Sequence, residues 1–335
     1  MIENNKFFMK VVKKIVIFGQ PHQNIIKINK NLGIESLVIT SSDQAKFMDK
    51  KLINLKIFNS IDNKCIKFLK KFCDFENTLF IGIGPRYIFS SKTINYFKNN
   101  FINMHNSRIP LDAGGGAFSW RIMREDRIDN RCFHIMTEDI DGGPILYNKL
   151  SLYPRWCVTP SEMKVHTLEL TFKFYEEFIK KILNKKKFEL KPQTKYLSRY
   201  NPRINTEING YIDWSLNSYE LINFINAFDD FYKGASTYLN NGNYGKLFIR
   251  KAQLHGGDTP NHPFMSGIVS RHDEDWITVC TSGKHMLVIE EVNDIKGKNI
   301  LKEIKPGDRF FTPKIKLDAA KSKRIYYNSL GLKKT

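Results

Sequence analysis

A chain of 335 residues, 41% of them hydrophobic, exceeds what one core usually organises, so two domains of unequal size are expected. No run reaches the roughly 18 to 20 uninterrupted apolar residues of a membrane span, and residues 1–6 hold no apolar signal core; a soluble, cytoplasmic protein without a membrane partner is expected. The five cysteines (Cys65, Cys73, Cys132, Cys157 and Cys280) are scattered and form no Cys-x-x-Cys pair, which argues against structural zinc and a disulfide frame, and no metal is expected. Lys plus Arg (53) exceeds Asp plus Glu (34), a formal charge of +19 that would attract an acidic partner. Lys, Asn and Ile are abundant everywhere, however, so the excess reads more readily as a solvated surface than as one basic patch.

In chain order, residues 14–19 read as a buried first strand, with a helix over 24–32 behind it. A strand at 36–40, a helix near 63–72 and strands at 78–83, 101–105 and 131–136 follow. Strands alternating with helices predict an α/β fold with a doubly wound, mostly parallel sheet. The first turn, Phe18-Gly19-Gln20-Pro21-His22-Gln23, lacks the G-x-G-x-x-G pattern, so a dinucleotide cofactor is not supported. A helix over 165–184 closes a first domain spanning 1–190, and the polar, proline-bearing stretch 191–207 reads as a linker. Residues 208–335 form the second domain: a helix at 219–228, then short runs at 246–251, 267–270, 276–280 and 286–292 that predict a small, OB-like β-barrel.

Chemistry concentrates in two places. On a strand, Asn103, His105 and Ser107 point the same way while Ile102 and Met104 face the apolar side. Asp112-Ala113-Gly114-Gly115-Gly116 follows, a run suited to close backbone approach of a ligand. Taken locally, a polar strand end running into a surface loop fits equally well. Further on, Thr137-Glu138-Asp139-Ile140-Asp141-Gly142-Gly143 sets a carboxylate in a glycine turn after a strand, where it can orient a histidine.

Asn103-x-His105 with Ser107 and Pro110, the glycine loop, and Asp141-x-Gly143 lying 36 residues beyond His105 resemble the signature of the folate-dependent formyltransferases. Asn209 to Trp214, Tyr232 to Ala235, Ser266 to Val269 and Gly307 to Phe310 are similar to the carboxy-terminal domain of the longer members. The resemblance implies a formyltransferase Rossmann-like fold and catalysis by Asn103, His105 and Asp141. It also implies 10-formyltetrahydrofolate as donor, held by Gly84, Arg86, Tyr87 and Ile88 and by Thr137, Glu138, Asp139 and Ile140. For the Arg86 and Tyr87 side chains, ordinary loop packing is an equal alternative. Ser107, Arg108, Gly114 and Gly115 are the candidate acceptor contacts, although Ser107 could simply cap its turn.

These residue types suit formyl transfer to an amine. The Asn103 amide can donate to the oxyanion, His105 can take and return a proton near neutral pH, and Asp141 can fix the ring and favour its protonated form. His134 shares a strand face with Cys132 and Met136 and reads as a packed structural histidine. Trp120 reads as an anchor for the following helix before it reads as a base-stacking platform.

The expected acceptor is a nucleotide-linked (dTDP-, UDP- or GDP-) 3- or 4-amino sugar of surface polysaccharide (lipopolysaccharide O-antigen) synthesis, with nucleic acid disfavoured and a homodimer left open. The alternative is methionyl-tRNA formyltransferase. Against it stand Thr40 to Phe47, which run into an ordinary helix instead of a long basic loop, and Ala113 and Asn106 at positions where that family commonly has Arg and Pro. A retired enzyme fold that binds nucleic acid should have lost one of the catalytic three, and none is lost. A hydrolase releasing formate from the folate is a closer rival.

Overall fold

The computed structural model describes residues 2–3, 5–49, 54–97, 100–240, 244–256 and 260–333. Strands β1 (Lys14–Gly19), β2 (Glu35–Thr40), β3 (Leu55–Ile57), β4 (Thr78–Ile83) and β5 (Phe101–His105) run parallel. Antiparallel β6 (Ile128–Ile135) and β7 (Ile145–Leu152) extend the sheet to the order β7-β6-β5-β4-β1-β2-β3. The central strands β1, β2 and β4 are apolar on both faces because helices cover both. Ile15, Ile17, Val38, Ile102 and Phe133 pack beneath α1 (Gln23–Asn31) and α6 (Pro160–Leu183). Val16, Phe18, Ile39, Phe80 and Phe101 pack against α3 (Asn63–Phe72) and α4 (Ser91–Phe97). The strand order reverses between β1 and β4, so the ligand crevice of such a sheet opens beyond the carboxyl ends of β1, β4 and β5.

Three local expectations change. The closing helix begins at Pro160, five residues earlier than its apolar spacing suggested, because Thr159 and Glu162 form a reciprocal capping box around Pro160. The ordinary helix expected after β2 is a single turn, α2 (Ser42–Ala45), capped by the Ser41 hydroxyl. The stretch read as a linker is docked along its length. Lys191 bridges to Ile145, Tyr200–Asn201 pairs in parallel with Ala113–Gly114, and the Trp120 indole donates to the Pro202 carbonyl at 2.9 Å. Trp120 thus anchors this segment to α5 (Ala117–Met123).

Beyond α7 (Thr206–Asn209), α8 (Ser218–Ala227) packs on six antiparallel strands: β8 (Ala235–Leu239), β9 (Leu247–His255), β10 (Val269–His272), β11 (Ile277–Cys280), β12 (Met286–Asn293) and β13 (Phe310–Phe311). Their order is β10-β11-β12-β9-β8-β13. The two edges meet through Val269 N–H to Asp308 O and Phe310 N–H to Gly267 O, both 2.8 Å, so the sheet curls into the expected barrel. Its core is shared with the first domain, because Ile122, Tyr153, Cys157 and Met163 pack among Leu221, Ile225, Leu247 and Ile289. An apolar seam of this kind holds two domains rigidly. After α9 (Lys314–Ser322), Tyr327–Asn328 and Gly331–Leu332 form a small antiparallel hairpin. All five cysteines are buried and unpaired. Among the described residues, no helix is long and apolar enough to cross a membrane and no His, Cys, Asp and Glu group could hold a metal.

Candidate active site

The last residues of β5 present the candidate catalytic side chains because the strand alternates: Ile102 and Met104 enter the core under α6, which leaves Asn103 and His105 for the opposite face. Gly82, the register partner of Asn103 on β4, makes room for it. A Cβ at Gly82 would lie 2.6 Å from Asn103 Oδ1. The partner across the other edge is His134 on β6, and here the structure adds a residue that its apolar neighbours concealed. His134 is buried as expected, but its Nδ1 faces the Ile135 carbonyl at 2.9 Å and its Nε2 faces Asn103 Nδ2 at 3.0 Å. Nδ1 must therefore donate and Nε2 accept, a tautomer assigned from these partners that fixes which way the Asn103 amide points. The antiparallel register, which chain order does not reveal, was the missing signal.

Asp141 closes the cluster. Its Oδ1 receives a long hydrogen bond from Asn103 Nδ2 (3.4 Å) and lies 3.6 Å from His134 Nε2. Its Oδ2 accepts from Gly114 N–H at 3.0 Å and lies 3.5 Å from His105 Nε2. Burial pushes its pKa up, but His105 and the Gly114 amide outweigh it, and the carboxyl ends well below the usual carboxylate range. The expectation that Asp141 would favour protonated His105 holds in direction but is outweighed. Desolvation of the buried ring is the largest influence, Asp141 opposes it, and the net shift is downward, so His105 is neutral at pH 7.

The Asp141 backbone sits at φ +54°, a left-handed conformation that costs a non-glycine residue about 1–3 kcal/mol and must be held by its surroundings. Gln193, from the stretch read as a linker, holds it. Its Nε2 donates to the carbonyls of Asp141 (2.7 Å) and Gly143 (2.6 Å). Gln193→Ala should lower kcat about tenfold through misplacement of Asp141 while leaving the donor KM within a factor of two, measured by steady-state kinetics. Asp112 anchors the same segment on the catalytic loop. Buried, it pairs with Arg124 (2.9 Å) and Arg199 (2.8 Å) and accepts from Asn201 (3.3 Å). Buried Arg121 ties this loop to the sheet through the Asn106 carbonyl, Asp129 and Tyr153.

The candidate acceptor contacts are engaged within the protein. Ser107 lies past the strand end, so it does not share the Asn103 face; its hydroxyl donates to the Asp112 carbonyl at 2.6 Å. Arg108 pairs with Asp126 at 2.7 Å. Gly114, at φ +98°, admits the docked segment, since a Cβ there would lie 2.3 Å from Asn201 O. Gly115 gives the same room to the stem of Arg203. Of the candidate donor contacts, Arg86 pairs with Asp43, Tyr87 turns inward and donates to the Phe58 carbonyl at 2.8 Å, and the Gly84 carbonyl accepts from Gln44. Thr137 donates to the Asp139 carbonyl, and Asp139 also pairs with Lys195. Ile88, Glu138 and Ile140 are exposed. A cavity of about 420 Å³ opens between residues 135–138 and α4, lined by Ile94, Asn95, Met136 and Thr137. A larger one, about 590 Å³, lies between α5, α8 and residues 282–285, away from the catalytic residues.

Residues 205–304 match the formyl transferase C-terminal domain. A methionyl-tRNA formyltransferase of Wigglesworthia glossinidia brevipalpis is 25% identical over 256 residues, which are 76% of this chain and 75% of that protein. An N-formyltransferase of Helicobacter canadensis, solved in complex with folinic acid and dTDP-3-aminofucose, superposes with a TM-score of 0.63 at 17% identity, covering 84% of this chain and 99% of that one. A 4-N formyltransferase of Francisella tularensis gives 0.54 at 21% identity over 67% and 91%. In its matched domain and its fold the chain resembles the formyltransferases.

Proposed function

We propose that this chain, an enzyme of the formyltransferase type, transfers the formyl group of 10-formyltetrahydrofolate to the primary amine of a nucleotide-linked 3- or 4-amino sugar used in surface polysaccharide synthesis. The observation that carries this reading is the buried cluster of Asn103, His105, His134 and Asp141 at the carboxyl end of β5. The amine nitrogen bonds to the formyl carbon, and the oxyanion that forms there takes the Asn103 N–H that otherwise makes the long bond to Asp141, while the other N–H stays on His134 and keeps the amide oriented. His105, neutral and desolvated, takes the amine's proton while Asp141 faces the resulting imidazolium. The carbon–N10 bond then breaks and the proton passes to N10, giving tetrahydrofolate and the formamide. The exposed Ile88 and Ile140 and the cavity beside Thr137 support a donor seat on this side of the cluster.

The curated relatives favour methionyl-tRNA as a second reading of the acceptor. The test supplies 10-formyltetrahydrofolate with nucleotide-linked amino sugars in parallel with methionine-charged initiator tRNA, and follows tetrahydrofolate release. Formylation of an amino sugar supports the proposal, and turnover with charged tRNA alone overturns the acceptor. Release of formate without any acceptor would make the chain a hydrolase.

A further inference from the structure

The hairpin after α9 lies between the end of the docked segment, at Arg203 and Asn205, and the turns that carry Asp43, Asn59 and Arg86. Its Tyr327 ring is flanked by two guanidinium groups, with Arg86 at 5.1 Å and Arg203 at 5.7 Å from the ring centroid. Alongside, Arg324 stacks on Tyr200 (5.8 Å) and Tyr326 (5.0 Å), rings that remain 47% and 46% exposed. Asp43 neutralises Arg86, but neither Arg203 nor Arg324 has a carboxylate partner among the described residues. Burial, and then the charge of Arg203, lower the Arg86 pKa, a repulsion that long, solvated stems would relax. Here the stems are fixed instead: Arg203 lies against Gly115, and the hairpin is tied down by Asn205 to the Tyr327 hydroxyl (3.3 Å) and by Ser329 to the Asn59 carbonyl. Planar arginine forks match phosphate oxygens, and exposed tyrosine faces match a base.

We infer that Arg203 and Tyr327, with Arg324, Tyr200 and Tyr326 beside them, form the subsite for the nucleoside diphosphate part of the acceptor. The inference rests on the nucleotide-sugar reading above. Gly115, on which the Arg203 stem rests, follows Gly114, whose amide binds Asp141, so an acceptor held by its diphosphate here has its sugar directed at the catalytic cluster.

The test measures binding of dTDP, UDP, GDP and pyrophosphate, and separately of folinic acid, to wild type and to Arg203→Ala, Tyr327→Ala and Tyr327→Phe, each checked for an unchanged melting temperature. Arg203→Ala and Tyr327→Ala should weaken the preferred nucleoside diphosphate at least tenfold, Tyr327→Phe less than threefold, and folinic acid should hold within twofold in all. Equal nucleotide binding by wild type and Arg203→Ala overturns the subsite and leaves the acceptor reading standing. A loss confined to folinic acid assigns the arginines to the folate carboxylates and overturns it too. Wild type that binds no nucleoside diphosphate overturns the subsite together with the nucleotide-sugar acceptor.

Discussion

His105→Ala should lower kcat/KM by roughly two to four decades with little change in melting temperature. The ring is the only described base that faces Asp141 from the open side of the cluster: His134 is almost wholly buried and both its nitrogens are engaged, whereas the His105 side chain keeps 18% of its surface accessible. The pH dependence discriminates base catalysis from packing. Burial moves His105 below its ordinary value near roughly 6.5, so wild-type kcat/KM should hold its plateau through that pH and fall only on further acidification. The variant's residual activity should lack that limb. Near-normal turnover by the variant, or an acid limb at or above 6.5 in wild type, would remove His105 as the base.

Much of this was legible in the sequence because apolar alternation and glycine placement are local signals. Four of the five parallel strands follow from runs such as Lys14–Gly19 that are apolar on both faces, whereas the short edge strand β3, with Lys56 at its centre, does not; Asn103 and His105 follow from one strand's alternation with Ile102 and Met104. The remainder depends on contacts between distant segments. His134 enters the site by antiparallel register with β5, and Gln193, Arg199 and Asn201 reach the catalytic loop from a stretch whose composition reads as a spacer. Composition cannot show that Gly114 and Gly115 of the loop admit protein backbone and the Arg203 stem. Nor could it weigh desolvation of His105 against the Asp141 charge, which depends on burial that only the packed structure defines.

The largest companion effect is expected at Asp141. Asp141→Asn should also cost roughly two to four decades in kcat, even though it nearly preserves the side chain's volume. An amide can still accept from Gly114 N–H through its one oxygen, but its NH2 then faces Asn103 Nδ2, a donor against a donor, and the Asn103 amide loses its orientation. The variant also removes the one charge that holds the His105 pKa up, so its residual activity should show an acid limb shifted to still lower pH, not higher. Stability provides an independent reading. Because the folded carboxyl lies far below its unfolded value, its contribution is fully present above roughly pH 3.9 and is lost as the pH falls towards the folded value. The melting-temperature gap between wild type and Asp141→Asn should therefore widen modestly as the pH falls through about 6.5, because His105 is harder to protonate in the folded variant, and narrow below roughly pH 3.9 as the carboxyl's own contribution is lost. A gap that instead kept widening below roughly pH 3.9 would mean the carboxyl is protonated in the native protein, and neither the orientation of Asn103 nor the charge facing His105 could then be assigned to it.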